Sequence, residues 1–458
     1  MLGSTATIAR STFVESIRQP VFFIIVLISG VLQVLNTWVS HYSMGYRNVP
    51  GEITGDDKLL FDIGLSTIFV CGTLLAAFIA TAVMSREIEN KTILTIVSKP
   101  VARPAVVIGK YLGVAAAMIV AIVLMTAFLM FAIRHGVLST AADDPDQPAI
   151  AFAAGAVLLS LIVAGAGNFL YGWTFGQTAI TLMVPLMLLG YLGILLLDED
   201  WAFQAIATDF KPQLLLACAS LGLALLVLTA IATAASTRLG QVMTITVCAG
   251  VFLLGLLSNF LIGQHVFQNE IVGLVVVTES GDIGDDTFDM PGDEWTVLLK
   301  QEPATELKVG DLIYWGPAPN GVGMFVPPMI PVDDDHRPGQ DIDINDDLFP
   351  EGVAPAIVLT GINGPALTIK QIGHTGVEVK RPPAAGDFIF PHETRINPVA
   401  FTAWAAVPNM HFFWNVDAIT QAQTVPVGHF VLAAFYALSL IIAAVSVAVM
   451  LFQGRDVG

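Results

Sequence analysis

Residues 85–113 read SREIENKTILTIVSKPVARPAVVIGKYLG, between two oily runs, FDIGLSTIFVCGTLLAAFIATAVM (61–84) and VAAAMIVAIVLMTAFLMFAI (114–133). Both flanks suit a lipid environment, yet the connection carries seven charged side chains: Arg86, Glu87, Glu89, Lys91, Lys99, Arg103 and Lys110. Ser85 suits a helix N-cap, and Glu87 and Glu89 fall in the first turn, where negative charge favours the helix dipole. Glu87 and Lys91 are spaced i, i+4 in the favourable order. Ile93, Ile96 and Val97 form one apolar stripe, and Pro100 stops the pattern. The spacing predicts a short amphipathic helix at the membrane surface, one face on apolar material and the other offering both signs of charge. Lipid headgroups alone could hold such a helix; two glutamates among the basic residues favour a protein partner.

The flanks are typical of the chain. Hydrophobic residues make up 55% and charged residues 13%, with a mean hydropathy of +0.73; soluble domains are about 25% charged. A spanning helix needs ~20 mostly apolar residues. Eight windows qualify: 21–40, 62–84, 111–133, 149–171, 174–197, 213–234, 242–264 and 429–452. The run 149–197 is free of Asp, Glu, Lys and Arg and too long for one span. Its centre, GNFLYGWTFGQT, reads as a tight turn between two spans, with Tyr171 and Trp173 suited to an interface. The apolar run after Arg10 and Arg18 is long and lacks a cleavage pattern, so it reads as a retained first span rather than a signal peptide.

Basic residues set the expected orientation. Arg10 and Arg18 precede the first span, the second connection holds five basic residues, Arg238 lies in STRLGQ and Arg455 follows the last span. With eight spans these segments share one side, expected to be the cytoplasm, along with both termini. The opposite connections GEITGDDK, STAADDPDQP and LDEDWAFQAIATDFKP are acidic.

Residues 265–428 differ in character. They hold 23 acidic and 7 basic residues, nearly all of the chain's net charge of −18. Short alternating runs recur, namely EWTVLLK, GDLIYWG, ALTIKQI, GVEVK and GDFIF, punctuated by Gly, Pro and Asp. Period two means half-buried strands. The expected fold class is a polytopic α-helical membrane protein of about eight spans with a β-rich extracytoplasmic domain, barrel or sandwich, inserted before the last span. The expected domains are 1–264, 265–408 and 409–458, the last with an interfacial segment. Val309-Gly310-Asp311 and Ala385-Gly386-Asp387 each precede an apolar-Ile-aromatic triplet, which could mark a duplicated element. The acidity argues against polyanionic ligands, nucleic acid included.

Catalytic patterns fail on inspection. Gly109-Lys110 lacks the glycines and Ser/Thr of a phosphate loop, and Ile396 stands where a zinc-protease motif starting at His392-Glu393 needs its second histidine. Asp341, Asp343 and Asn345 match the first ligand positions of an EF-hand loop. Asp346 then occupies the glycine position and Gly352 the place of the bidentate glutamate, so a solvated acidic loop is the simpler reading. Cys71, Cys218 and Cys248 lie in apolar runs, as small buried hydrophobes do. No metal or cofactor is expected on this chain, and no enzymatic role. Between their boundary residues the eight proposed spans carry no Asp, Glu, Lys or Arg. Ion-coupled transporters normally show such groups at membrane depth, so energy is expected to enter from outside the bilayer.

The stretch MSREIENKTILTIVSKPVARPAVVIGKYLG closely resembles the second connection of ABC transporter permeases of the type-2 exporter class. ATIARSTFVESIRQPVFF looks like the amphipathic lead-in helix of those permeases, and PNMHFFWNVDAI with the final span is similar to their closing segment. The resemblance covers roughly 1–135 and 400–458. It departs from the family in the β-rich insertion and in having eight spans where the family core has six. The resemblance implies that 85–103 is a coupling helix seated in a separate ATPase subunit, where ATP is bound and hydrolysed. Arg86, Glu87, Glu89, Lys91, Lys99 and Arg103 would be its contacts. It also implies a pair of permease chains, identical or not, in a bacterial inner membrane; Phe412, Phe413 and Trp414 fit an outer interfacial segment or, equally, the core of the insertion. The competing readings are a non-transporting scaffold that presents the acidic domain to envelope partners, and a secondary transporter.

Overall fold

A computed structural model describes residues 2–39, 55–89, 102–137, 145–280, 293–320, 324, 326, 356–372, 383–415 and 425–453. Two compact units emerge: a helical unit, Met1–Leu253 with Met410–Gly458, and a second unit, Leu254–Asn409. Among the described residues, eight helices are long and apolar enough to cross a membrane, and they coincide with the eight windows read from the sequence.

The helices are α1 (Leu2–Arg18), α2 (Pro20–Val39), α3 (Gly55–Glu89), α4 (Arg103–His135), α5 (Gln147–Tyr171), α6 (Phe175–Leu196), α7 (Pro212–Ser236) and α8 (Gln241–Ser258); the last helix, α10, spans Val427–Gln453. Local chemistry fixes their ends. Asp146 caps α5 by accepting from the Ala149 N–H at 2.8 Å. Gly172, at φ 70°, ends it: its amide donates to Asn168 O, the bond of an αL cap, and the Trp173 amide donates to Gly167 O. The uncharged run 149–197 is therefore two helices joined by a tight turn, as its composition predicts. Of the span asparagines, Asn36 makes a helix contact, donating to Leu60 O at 2.8 Å, whereas Asn168 donates locally to Trp173 O in the turn after α5. Cys71, Cys218 and Cys248 are buried, unpaired thiols.

Helix α4 is 33 residues long, about 50 Å at the usual rise, so it extends past the ~30 Å hydrocarbon layer. Its first turns, Arg103–Lys110, are continuous with the span. Helix α3 likewise runs through Ser85 to Glu89. Ser85 thus lies inside a helix, and the expected cap at that position gives way to a continuous stem. The candidate spans are longer than the sequence windows and take in ionisable groups at or beyond their boundaries, among them Lys58 and Asp62 in Lys58–Met84 and Arg103, Lys110, Arg134 and His135 in Arg103–His135.

The second unit holds a six-stranded sheet, in the order β4-β7-β2-β3-β6-β5, made of β2 (Gly273–Ser280), β3 (Glu294–Leu299), β4 (Tyr314–Gly316), β5 (Ala356–Asn363), β6 (Ala366–Ile372) and β7 (Phe388–Phe390). A two-residue pair joins β1 (Phe267–Gln268) to β8 (Arg395–Ile396). The six-stranded sheet closes on itself. Leu312 bridges Val358 just before β4, the Ile313 N–H donates to Ile357 O, and the Leu359 N–H donates to Asp311 O, each at 2.9 Å. Closure removes the free edges that invite pairing with other chains. Trp295, Val297, Leu299, Trp315, Leu367 and Ile369 are among the side chains that fill the interior.

The Gly-Asp segments do mark a duplication. β2-β3-β4 and β5-β6-β7 are each a hairpin followed by a Gly-Asp corner and a strand. Each hairpin has one register shift, at Val275/Val277 and at Leu359/Gly361. Gly310 (φ 101°) and Gly386 (φ 99°) adopt the same left-handed corner conformation. The Gly310 N–H donates to Leu359 O and the Gly386 N–H to Val275 O, while Leu359 and Val275 return bonds to Asp311 O and Asp387 O. The Asp311 and Asp387 carboxylates accept from the Lys308 and Ala384 amides, at 2.7 and 2.9 Å. The halves interlock, because the final strand of each pairs with the first strand of the other.

Candidate functional site

The charged connection 85–103 joins the ends of α3 and α4, and those stems sit in a built environment. Met84 and Val107, one from each stem, pack with Ala234 of α7 and with Ala448 and Phe452 of α10. Polar groups fasten the same end. Lys110 is 2% exposed, and its ammonium donates to Val83 O on α3 at 2.8 Å. A buried ammonium needs such partners, since desolvation penalises an unpaired charge heavily.

The last carbonyls of a helix lack intrahelical partners. At the end of α10, Leu451 O accepts from Arg238 Nε at 2.9 Å and Gln453 O from Arg103 Nη1 at 3.0 Å. Two cations therefore cap the negative end of α10's dipole. One comes from the start of α4 and the other from the α7–α8 connection.

Helix α1 completes the end by lying against α4 with almost no gap. A side chain at Gly109 would meet Ile8 Cβ at 2.9 Å and Thr5 O at 3.0 Å; one at Gly113 would meet Ala9 O at 2.5 Å and Thr12 Cβ at 2.6 Å. The i, i+4 glycines form the flat face on which α1 rests. Arg18, at the end of α1, donates from Nε to Gln177 Oε1 on α6 at 2.7 Å.

The expected contact residues divide into three groups. Arg86, Glu87 and Glu89 lie on the last turns of α3, described here by backbone alone. Lys91 and Lys99 lie outside the described residues. Arg103 starts α4 and is bonded to the end of α10. Sequence reasoning missed Lys110 and Arg238 as ties; the only local signal was the Gly109-x-x-x-Gly113 spacing beside a lone lysine.

Phe412, Phe413 and Trp414 do not form a common interfacial face. Phe413 is 0% exposed and stacks on Tyr436 of α10 at 5.9 Å. Phe412 lies against His429, and Trp414 meets the edge of Phe69 at 6.0 Å. Asn415 donates to Ser220 Oγ at 3.0 Å. This segment packs into the helical unit, because its aromatics fill the space between α3, α7 and α10.

The opposite ends of the helices carry a second charged group. Arg134, 11% exposed near the end of α4, faces Asp146 at 3.4 Å, Asp209 at 3.2 Å and Glu199 at 3.7 Å, and donates to Leu197 O. It draws together the start of α5, the end of α6 and the approach to α7. His392 lies 4.0 Å from Glu270, and among the described residues no group of three or more His, Cys, Asp or Glu could hold a metal ion. The EF-hand-like residues Asp341, Asp343 and Asn345 lie outside the described residues.

Residues 6–170 match the family model described as ABC-2 family transporter protein. The matched stretch runs from α1 almost to the end of α5 and includes the whole charged connection with Lys110. No curated protein and no solved structure matches the chain. The match supports an ABC-2 type permease for the stretch it covers.

Proposed function

We propose that this chain is an ABC-type permease, the membrane-spanning subunit of an ATP-driven exporter, energised by a separate ATPase that docks on residues 85–103. The observation that carries this reading is the seating of the connection's stems. Val83, Met84, Arg103, Val107 and Lys110 are packed or hydrogen-bonded into the ends of α3, α4, α7 and α10. A displacement of the connection would be delivered to four helices at once, as an energy input from outside the bilayer requires. Close-packed interiors transmit such strain rather than absorb it. Lys110, buried in its candidate span, is bonded at the base of the bundle, which suits a structural tie better than a relay across the membrane.

The working assembly in this reading is a pair of permease chains with ATPase subunits beneath them, in a bacterial inner membrane. Arg10, Arg18, Arg238 and the basic residues of 85–110 put that end in the cytoplasm by the positive-inside rule. Span parity then puts the acidic β unit outside.

Purification from native membranes in mild detergent tests the proposal. The expected result is a stoichiometric nucleotide-hydrolysing subunit in the isolated particle. A particle that transports substrate in vesicles with no such subunit bound contradicts it.

A further inference from the structure

We propose that a short apolar helix in the second unit, α9 (Pro398–Ala406), lies within the membrane interface and anchors the β barrel to the lipid surface. The proposal rests on the membrane-spanning character of α8 and not on the ATPase reading.

The sequence of α9 is PVAFTAWAA, without a charge, and none of its nine residues is buried. A helix that is apolar all round belongs in a protein core or in lipid. This one has no core around it: Val399 is 79% exposed, and Phe401 faces outward as well. Nine residues rise only about 14 Å, too short to span, so a lipid-seated α9 must lie at the interface.

Its attachment explains how it is held there. Past Ser258 the α8 helix continues as a π-helical turn, Asn259–Gly263. Asn259 Oδ1 accepts from Trp404 Nε1 at 3.1 Å and from Asn409 Nδ2 at 2.7 Å. The indole N–H is thereby satisfied within the protein, leaving Trp404 free of a need for water. Phe267 meets the Trp404 ring edge-on at 6.1 Å. At its start, α9 is capped by Asn397, whose Oδ1 accepts from Val399 and Ala400 and whose N–H donates to Val266 O at 2.9 Å. The helix is thus pinned at both ends to the last turns of a membrane span.

Lipid is the occupant this arrangement favours, because large apolar side chains stand exposed both on the span end and on α9. Leu254, Leu257 and Leu261 face outward on that same span end, and Phe260 is 69% exposed. Ile396, Val399 and Phe401 add further exposed apolar side chains, and Arg395 and His265 stand exposed beside them, where basic groups meet phosphate headgroups. A protein partner or a second copy would also cover α9, and the test distinguishes these.

Single cysteines at Val399→Cys, Leu432→Cys on the exposed face of α10 and Val309→Cys on a barrel corner are nitroxide-labelled in a background with Cys71, Cys218 and Cys248 replaced by Ala, and reconstituted singly into lipid nanodiscs. The expected result is a label at 399 that collides with dissolved oxygen several-fold more often than with a water-soluble nickel chelate, as at 432, with the ratio reversed at 309. Nickel access at 399 equal to that at 309 overturns the proposal. A label shielded from both reagents also overturns it, by placing protein on the helix. If the Cys-free background fails to fold, quenching of Trp404 fluorescence by brominated lipid, read as the difference between the native chain and Trp404→Phe, gives the same decision.

Discussion

Two missing side chains decide how α1 sits. Gly113 and Gly109 let the backbone of α1 approach α4 at distances that no Cβ tolerates. Gly113→Ala would drive a methyl into Ala9 O and Thr12, which are fixed by the helix and cannot swing aside. The expected cost is about 1–3 kcal/mol, concentrated in the docking of α1. Hydrogen exchange should then show lost amide protection along Leu2–Arg18, with α4 itself unchanged. Lys110 shows why single residues are hard to read from sequence. It lies one position outside the apolar window, where a lysine normally snorkels to headgroups. Its burial follows from the approach of α3, which no local pattern announces.

Elements were legible wherever one signal dominated. Apolar windows of about 20 residues found the eight candidate spans among the described residues, and the glycine-rich, polar centre GNFLYGWTFGQT marked the turn between α5 and α6. Strands β3, β6 and β7 read clearly from alternation. β2 and β5 did not, because the register shifts at Val275/Val277 and Leu359/Gly361 break the period of two. The short helix α9 gave no signal, being too brief for a span and apolar on every side. The helix ends at Arg134 carry a separable prediction. Arg134→Met would leave the buried Asp146 carboxylate and the partly buried Asp209 without their cation. Removing one partner of a buried ion pair typically costs about 3–5 kcal/mol. Thermal unfolding in detergent should show a melting temperature several degrees lower, largely restored by the Asp146→Asn, Arg134→Met double variant.

For the whole molecule, the sequence exposed the two-part plan through charge: 23 of 38 acidic residues fall in 265–428. It could not show that the second part is a closed barrel of two interlocked halves, because closure depends on pairings between residues as distant as Leu312 and Val358. The proposed sidedness is testable on the intact cell. Cysteines introduced at positions 285 and 345 should react with an impermeant thiol reagent applied from outside, and protection of both would contradict the outward placement of this unit. The connection at 85–103 was the most legible part of the site by resemblance and the least described in space; what the structure adds is the anchorage of its stems. The central claim is that this connection receives the stroke of an ATPase. The most direct measurement exchanges its i, i+4 charge pair, Glu87→Lys with Lys91→Glu, and follows the ATPase bound to the purified particle together with its turnover. Loss of the bound subunit, or a turnover no longer stimulated by the permease, is the predicted result; an exchanged variant that keeps both at the native level would contradict the account.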